Sequence, residues 1–250
     1  MARAPRAARK ARPFIFVLAG VNGAGKSSVG GALLAEHGLT WFNPDTHARE
    51  LVAALGLPIQ EANARAWQQG RTRLEAAMAN GQNFAFETTL GANTIPQLLA
   101  QAASTHDVVM IYCGLASVEH HLKRVKARVE QGGHDIPTDK IRERWTASRL
   151  NLIRLMPHLA RLQVFDNSVE VAPGQPIADP VLLLDVQGGL VRFPGPGDAQ
   201  ALRATPEWAR PVLQAAFEHQ ARLGGAATSS AAPDRKPAAK GAPKSRKLLQ

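Results

Sequence analysis

Residues Gly20-Val21-Asn22-Gly23-Ala24-Gly25-Lys26-Ser27 satisfy the pattern G-x-x-x-x-G-K-[ST], a spacing whose chemistry is the gripping of polyphosphate. Gly20, Gly23 and Gly25 let the backbone turn tightly, so that successive N–H groups aim at phosphate oxygens with the positive end of a following helix behind them. The Lys26 ammonium then reaches the β- and γ-phosphates, the Ser27 hydroxyl takes one position on Mg2+, and Ser28 faces the α-phosphate. ATP and Mg2+ are the cofactors this implies.

Phosphate binding alone does not choose among a kinase, a GTPase and a motor or transporter ATPase. The chain has no N/T-K-x-D guanine-reading stretch and no L-S-G-G-Q stretch, and the apolar run 108–113 ends without an acid. Metal and base functions must therefore come from other strands. Asp45, in Asn43-Pro44-Asp45, and Glu87, in Phe84-Ala85-Phe86-Glu87, each follow a short apolar run, and ligands of a parallel sheet bind beyond such strand ends. Asp45 is placed to take the proton of an attacking hydroxyl and to join Ser27 around the metal, or else to cap the helix that follows. Glu87, Thr88 and Thr89 are placed to bond a polar substrate, or else to tie a strand-end turn together locally.

Phosphoryl transfer spreads negative charge, and arginines closing over it stabilise the transition state. Arg124 and Arg128 share a helix face, and Arg142 and Arg144 follow the glycine-bearing segment 132–137, so a mobile lid with Arg124 on the nucleotide and Arg128, Arg142 and Arg144 on the transferring group is expected. Their alternative is a solvated helix face. His120 and His121 receive no role, and the sole cysteine, Cys113, reads as an inert core residue.

The elements that must position these groups alternate strand and helix, the pattern of a parallel sheet covered on both faces. Strands are expected at 14–19, 40–43, 84–87, 108–113 and 162–165. Helices are expected at 26–37 (ended by Gly38), 46–55, 59–80, 94–103, 118–130 and 138–156. Pro173, Gly174, Pro176 and Pro180 then mark a looser region, with a hairpin at 181–193 turning at Gly188-Gly189 and a helix at 208–222. The expected fold is an α/β P-loop NTPase of three layers with a parallel five-stranded sheet. Its core covers residues 13–170 and a small C-terminal appendix covers 171–222.

Net charge is +10, and it sits at the ends. Residues 1–12 and 224–250 each carry +5, leaving nineteen basic and nineteen acidic residues between them. The Ala- and Pro-rich ends, 1–12 and 223–250, read as disordered basic tails. A neutral core speaks against nucleic acid as its ligand, while the tails leave that partner open. The run 14–19 is too short to cross a membrane and leads straight into the phosphate loop, which favours a cytoplasmic protein with no membrane contact.

With these segments assembled, the chain resembles the zeta-toxin-like P-loop kinases, which include UDP-N-acetylglucosamine kinases. The likeness spans about residues 13–170 and rests on GVNGAGKS at 20–27, NPD at 43–45, FAFETTL at 84–90, RVKARVEQGGHDIP at 124–137 and DNS at 166–168. It implies an adenylate-kinase-like core, Asp45 as base, Glu87 and Thr89 as substrate contacts, lid arginines on ATP, and Asp166 to Ser168 near the nucleotide base. The chain departs from the toxins at Gly91, where a basic residue continues their E-x-T-L stretch. The implied activity is transfer of phosphate from ATP to a hydroxyl of a small acceptor such as a sugar nucleotide, and an antitoxin is a partner that one chain does not establish. A polynucleotide kinase and a non-catalytic ATP-binding switch are the competing functions.

Overall fold

The computed structural model describes residues 11–36, 40–133, 135–170 and 178–230. Strand β1 (Phe14–Ala19) is apolar throughout and lies between β2 (Phe84–Thr88) and β3 (Asp107–Gly114), parallel to both. Burial on both faces explains why this strand has no polar alternation. One face carries Ile15, Val17, Met110 and Tyr112, and the other Phe16, Leu18, Ile111 and Cys113. Helices α1 (Lys26–Glu36), α2 (Pro44–Leu55), α3 (Ile59–Asn80), α4 (Thr94–Ala102), α5 (Val118–Glu130) and α6 (Thr138–Leu155) fill the connections. Strand β4 (Arg161–Asp166) adds a further parallel neighbour to β3.

The expected α/β P-loop architecture is present, and the sheet differs from the expectation in count and direction. Among the described residues it has six strands in the order β2-β1-β3-β4-β5-β6. The expected strand at 40–43 shrinks to a single bridge, Phe42 to Phe86, because Pro44 lacks an N–H and α2 begins at once. Strands β5 (Val181–Gln187) and β6 (Leu190–Phe193) form the expected hairpin, but β5 pairs antiparallel with β4, so the hairpin extends the main sheet rather than standing apart as an appendix. Proline and glycine mark a break along the chain, and they carry no information about which edge the next strand finds. The edge of β4 is closed by that pairing, with Arg161 held to Asp185 at 2.8 Å. A short helix α7 (Ala199–Ala204) precedes α8 (Arg210–Ser230).

The ends differ from the expectation too. Arg12 is tied to the turn before β3, 3.3 Å from Asp107 and donating to Ala103 O at 2.9 Å. Helix α8 continues through Ser230, past the expected boundary at 222. The expected end of α1 at His37 and Gly38, most of both basic tails, His134 and the prolines at 173 and 176 fall outside the described residues. Among the described residues no helix is long and apolar enough to cross a membrane.

Candidate active site

The phosphate loop bridges the end of β1 and the start of α1. Gly20 has φ +137°, a region that glycine alone enters freely, and a Cβ there would stand 2.2 Å from the Cys113 carbonyl oxygen. Gly20 N–H donates to Thr88 O (3.2 Å), Ala24 N–H to Val21 O (3.1 Å), and Ser28 N–H to Gly25 O (3.1 Å). Val21 and Ala24 are buried in two different apolar clusters, which pins the loop from both sides.

At the helix end of the loop, Glu87 gathers the site. Its Oε1 lies 3.3 Å from the buried Lys26 ammonium, and its Oε2 accepts from Ser27 Oγ and Asn43 Nδ2, each at 2.9 Å. A buried carboxylate without partners would carry a large desolvation cost, and here three donors meet it. Asn43 has a second task. Its Oδ1 accepts from Asp45 N (2.9 Å) and Thr46 N (3.2 Å), so Asn43 is the N-cap of α2, with Pro44 in the first turn. The capping alternative considered for Asp45 is thus filled by Asn43, and the Asp45 side chain is left facing the site, 3.8 Å from Arg128 Nη1. Arg128 Nε and Nη2 are buried with no hydrogen-bond partner among the described residues.

Beyond β2 the chain makes the local turn that was the alternative for Thr88 and Thr89. Leu90 N donates to Thr88 Oγ1 (3.1 Å) and Gly91 N to Thr89 Oγ1 (3.4 Å). Leu90 sits at φ +51°, and Asn151 of α6 holds that turn through Leu90 O (2.8 Å) and Ala92 O (3.3 Å). Thr88, Thr89, Lys26, Glu87, Asp45 and Arg144 line one cavity of about 280 Å³, which α3 flanks with Trp67 and Arg71. Asp45, Glu87 and Ser27 also border a wider cleft of about 1110 Å³ reached by Arg128.

The lid arginines separate. Arg144 Nη1 donates to Asn22 Oδ1 at 2.8 Å, and Gly91 leaves room for its stem, since a Cβ there would stand 2.5 Å from Arg144 Cγ. Arg128 reaches Asp45. Arg124 turns the other way, donating to Asn167 O (2.7 Å) and Val169 O (3.3 Å). Arg142 lines neither cavity; it lies exposed, 3.5 Å from Glu119.

His121, which had no expected role, and Asn167, from the DNS segment expected near the nucleotide base, hold the loop. Buried His121 donates from Nδ1 to Asn22 O at 2.8 Å, and burial pushes its pKa down to about 4, so it serves as a neutral donor. Asn167 Nδ2 donates to Ala24 O at 3.0 Å. The Asn-Pro pair at 43–44 carried a legible capping signal, whereas nothing in the spacing of His121, Asn151 or Asn167 points to the loop. Cys113 is buried under the loop with its pKa raised to about 12, chiefly by desolvation, and it stays a thiol. No cluster of three or more His, Cys, Asp or Glu suited to a metal occurs among the described residues.

Comparison with known proteins bears on the fold that carries this site. A family model described as an AAA domain (AAA_33) matches residues 15–152, a span that holds the phosphate loop, Asp45, Glu87 and the four lid arginines. A stretch of 63 residues is 40% identical to an uncharacterised protein of Haemophilus influenzae, covering 25% of this chain and 45% of that protein. Among solved structures, the AvrRxo1-ORF1:-ORF2 complex with ATP aligns at a TM-score of 0.58 and 16% identity over 83% of this chain and 64% of the matched one. The same complex with sulphate ions aligns at 0.57 and 17% over the same shares. The chain therefore spans less than two thirds of the length of those structures, and at such identities the likeness is one of fold.

Proposed function

The chain belongs to the AAA_33 family of AAA domains, and from that premise we propose that it is a P-loop kinase that moves the γ-phosphoryl group of ATP to a hydroxyl of a small acceptor. The observation that supports this best is the convergence of Lys26, Ser27 and Asn43 on Glu87, with Asp45 two residues beyond Asn43 and facing the same 280 Å³ cavity as Lys26. A phosphate grip, a carboxylate beside it and a pocket shared by the two are what hydroxyl activation requires.

In this reading the loop amides and Lys26 hold the β- and γ-phosphates, and the acceptor enters the cavity between α3 and the Thr88–Thr89 turn. Asp45 accepts the proton of the acceptor hydroxyl as its oxygen bonds to the γ-phosphorus; the bond from that phosphorus to the β,γ-bridging oxygen breaks, and ADP leaves. Arg128, with two unpartnered donors beside Asp45, is set to meet the charge of the transferring group. Arg144 steadies the loop through Asn22 while bordering the acceptor cavity. Arg142, paired with Glu119, is given no part.

Mg2+ fits the donors present, because a kinase magnesium ion takes one or two protein oxygens and fills its remaining positions with phosphate and water. Ser27 Oγ and Glu87 Oε2, 2.9 Å apart at the start of α1, would hold it, and Asp45 borders the same cleft. Held there, the ion would supply charge neutralisation to the phosphoryl transfer. The acceptor favoured by the resemblance of ETTL at 87–90 is a sugar nucleotide such as UDP-N-acetylglucosamine.

Incubation with γ-labelled ATP and a panel of sugar nucleotides, nucleosides and oligonucleotides tests the proposal. Label is expected on a small acceptor. Lys26→Ala is expected to lower kcat/KM by about 10³-fold, and Asp45→Asn to lower kcat by about 10²–10⁴-fold while sparing the ATP KM. Unchanged turnover in Asp45→Asn would remove Asp45 as the base. Label on oligonucleotides alone would replace the small acceptor.

A further inference from the structure

The family match ends at residue 152, yet the phosphate loop is held from further along the chain. Asn167 supplies one contact, Nδ2 to Ala24 O at 3.0 Å, and its own carbonyl accepts from Arg124 at 2.7 Å. A side chain can hold that position only if the backbone of 166–168 is itself fixed. Its backbone end is anchored by Asn167 N–H to Gly114 O at 3.0 Å. Its side-chain end is anchored through Asp166, whose Oδ1 accepts from Ser168 Oγ at 2.5 Å and from Trp208 Nε1 at 3.1 Å, while Ser168 Oγ in turn accepts from Ala116 N at 2.7 Å.

Trp208 is 3% exposed, and its indole lies directly on Gly114, where a Cβ would stand 2.2 Å from the ring. The bare backbone of Gly114 therefore leaves the space that the indole fills, and any side chain at 114 would displace it. Buried in the cluster formed with Ala209, Val212 and Leu213, it delivers its N–H to a carboxylate at the end of β4. Trp indole N–H groups that are buried find partners, and a carboxylate acceptor makes such a bond stronger than a neutral one.

We propose that Trp208 is a positioning residue of the nucleotide site. Through Asp166 it fixes the 166–168 turn, so that Asn167 holds the Ala24 peptide and the guanidinium of Arg124 in the arrangement that receives the nucleotide. The segment after β4 is on this account a working part of the site. The proposal rests on the reading of Gly20–Ser27 as a nucleotide grip, and it concerns ground-state binding, not the transfer itself.

The test is binding of a fluorescent ATP analogue to the full chain, without acceptor, alongside steady-state rates and thermal melts. Trp208→Phe keeps an aromatic ring at the site and removes the donor. It is expected to weaken nucleotide binding about fivefold to tenfold, the loss of one charge-assisted hydrogen bond, with kcat at saturating ATP and the acceptor KM within about twofold of wild type. Asp166→Asn, which keeps an acceptor oxygen for both partners, is expected to stay within about twofold, and Asp166→Ala, which also takes the acceptor from Ser168 Oγ, to be at least as weak as Trp208→Phe. The double variant Trp208→Phe/Asp166→Ala is expected to be no weaker than Asp166→Ala alone, because that change already removes the acceptor of the indole N–H. Lys26→Ala serves as the control for the nucleotide grip: if it binds the analogue like wild type, the grip itself is misassigned. With that control responding, unchanged affinity in Trp208→Phe, or losses that add in the double variant, overturns the proposal. A lowered melting temperature with unchanged affinity overturns it equally, since that is the behaviour of a residue that only packs.

Discussion

At one end of the phosphate loop Lys26 and Ser27 meet a carboxylate, that of Glu87; along its middle, Asn22 and Ala24 meet donors that end on carbonyl and amide oxygens. The partners in the first case come from the end of a neighbouring parallel strand. In the second they come from α5, α6 and the turn after β4. A carboxylate beside an ammonium and a hydroxyl can be traded for phosphate and metal with little change in local charge. The bonds from His121, Arg144 and Asn167 consume the loop's own oxygens and can persist when a ligand arrives. The difference suggests a division in which Glu87 takes part in the chemistry and the middle of the loop keeps its shape.

The strongest way to break that division is to remove Glu87. Glu87→Ala leaves the buried Lys26 ammonium without its partner and is expected to destabilise the fold by about 3 kcal/mol. It is also expected to lower kcat/KM by about 10³-fold, because Ser27 and Asn43 lose their common acceptor. Glu87→Gln retains an oxygen acceptor and should recover part of the stability with less of the rate. Urea melts and steady-state kinetics on both variants decide the matter. If Glu87→Ala loses stability and keeps kcat, the carboxylate is structural and the two ends of the loop do not differ in kind.

The middle of the loop is open to a pH experiment. His121 is buried beside Asn22, and its pKa falls from 6.5 to about 4, first through desolvation. The unfolded chain therefore binds the proton before the folded one does as pH drops. Stability is fully present above about pH 6.5 and is lost as pH falls toward 4, by about 3 kcal/mol for such a shift. His121→Asn keeps a short donor and cannot titrate, so its stability profile should lack that slope. Denaturant melts from pH 7.5 to 4.5 on both proteins measure it, and parallel profiles would show that the imidazole is not what holds Asn22.

The same division explains what the sequence disclosed. The loop was legible entire because its residues are contiguous, and the rule that ligands sit beyond strand ends led to Asp45 and Glu87. The capping role that the sequence left open for Asp45 belongs instead to Asn43, the residue before Pro44. The hairpin at 181–193 was legible from Gly188-Gly189, which do take positive φ of +57° and +77°, whereas its seat on β4 was not, since strand partnership depends on which edge is free. His121, Asn151 and Trp208 escaped for one reason, and Asn167 was reached only through the resemblance of DNS at 166–168. Each reaches a partner far away in sequence, from 42 positions for Trp208 and Asp166 to 143 for Asn167 and Ala24, and no local pattern encodes such a meeting.

The smallest effect belongs to Gly91, where the chain departs from the basic residue of the zeta toxins. The Arg144 stem crosses the empty face of this glycine on its way to Asn22, and a methyl group would stand 2.5 Å from Cγ and 3.2 Å from Cβ of the arginine. Neither atom is the free end of the side chain, so the whole arginine must shift and its 2.8 Å bond to Asn22 Oδ1 must lengthen. Gly91→Ala should accordingly behave like the loss of one charge-assisted hydrogen bond, about 1.5 kcal/mol or roughly tenfold in kcat/KM. Arg144→Ala is expected to be at least as impaired, and combining it with Gly91→Ala should add nothing, because the arginine that the methyl group displaces is already gone. If Gly91→Ala lowers activity equally in the presence and absence of the Arg144 side chain, the glycine serves the turn at Thr88–Thr89 instead, and the middle of the loop depends on its neighbours less than the comparison requires.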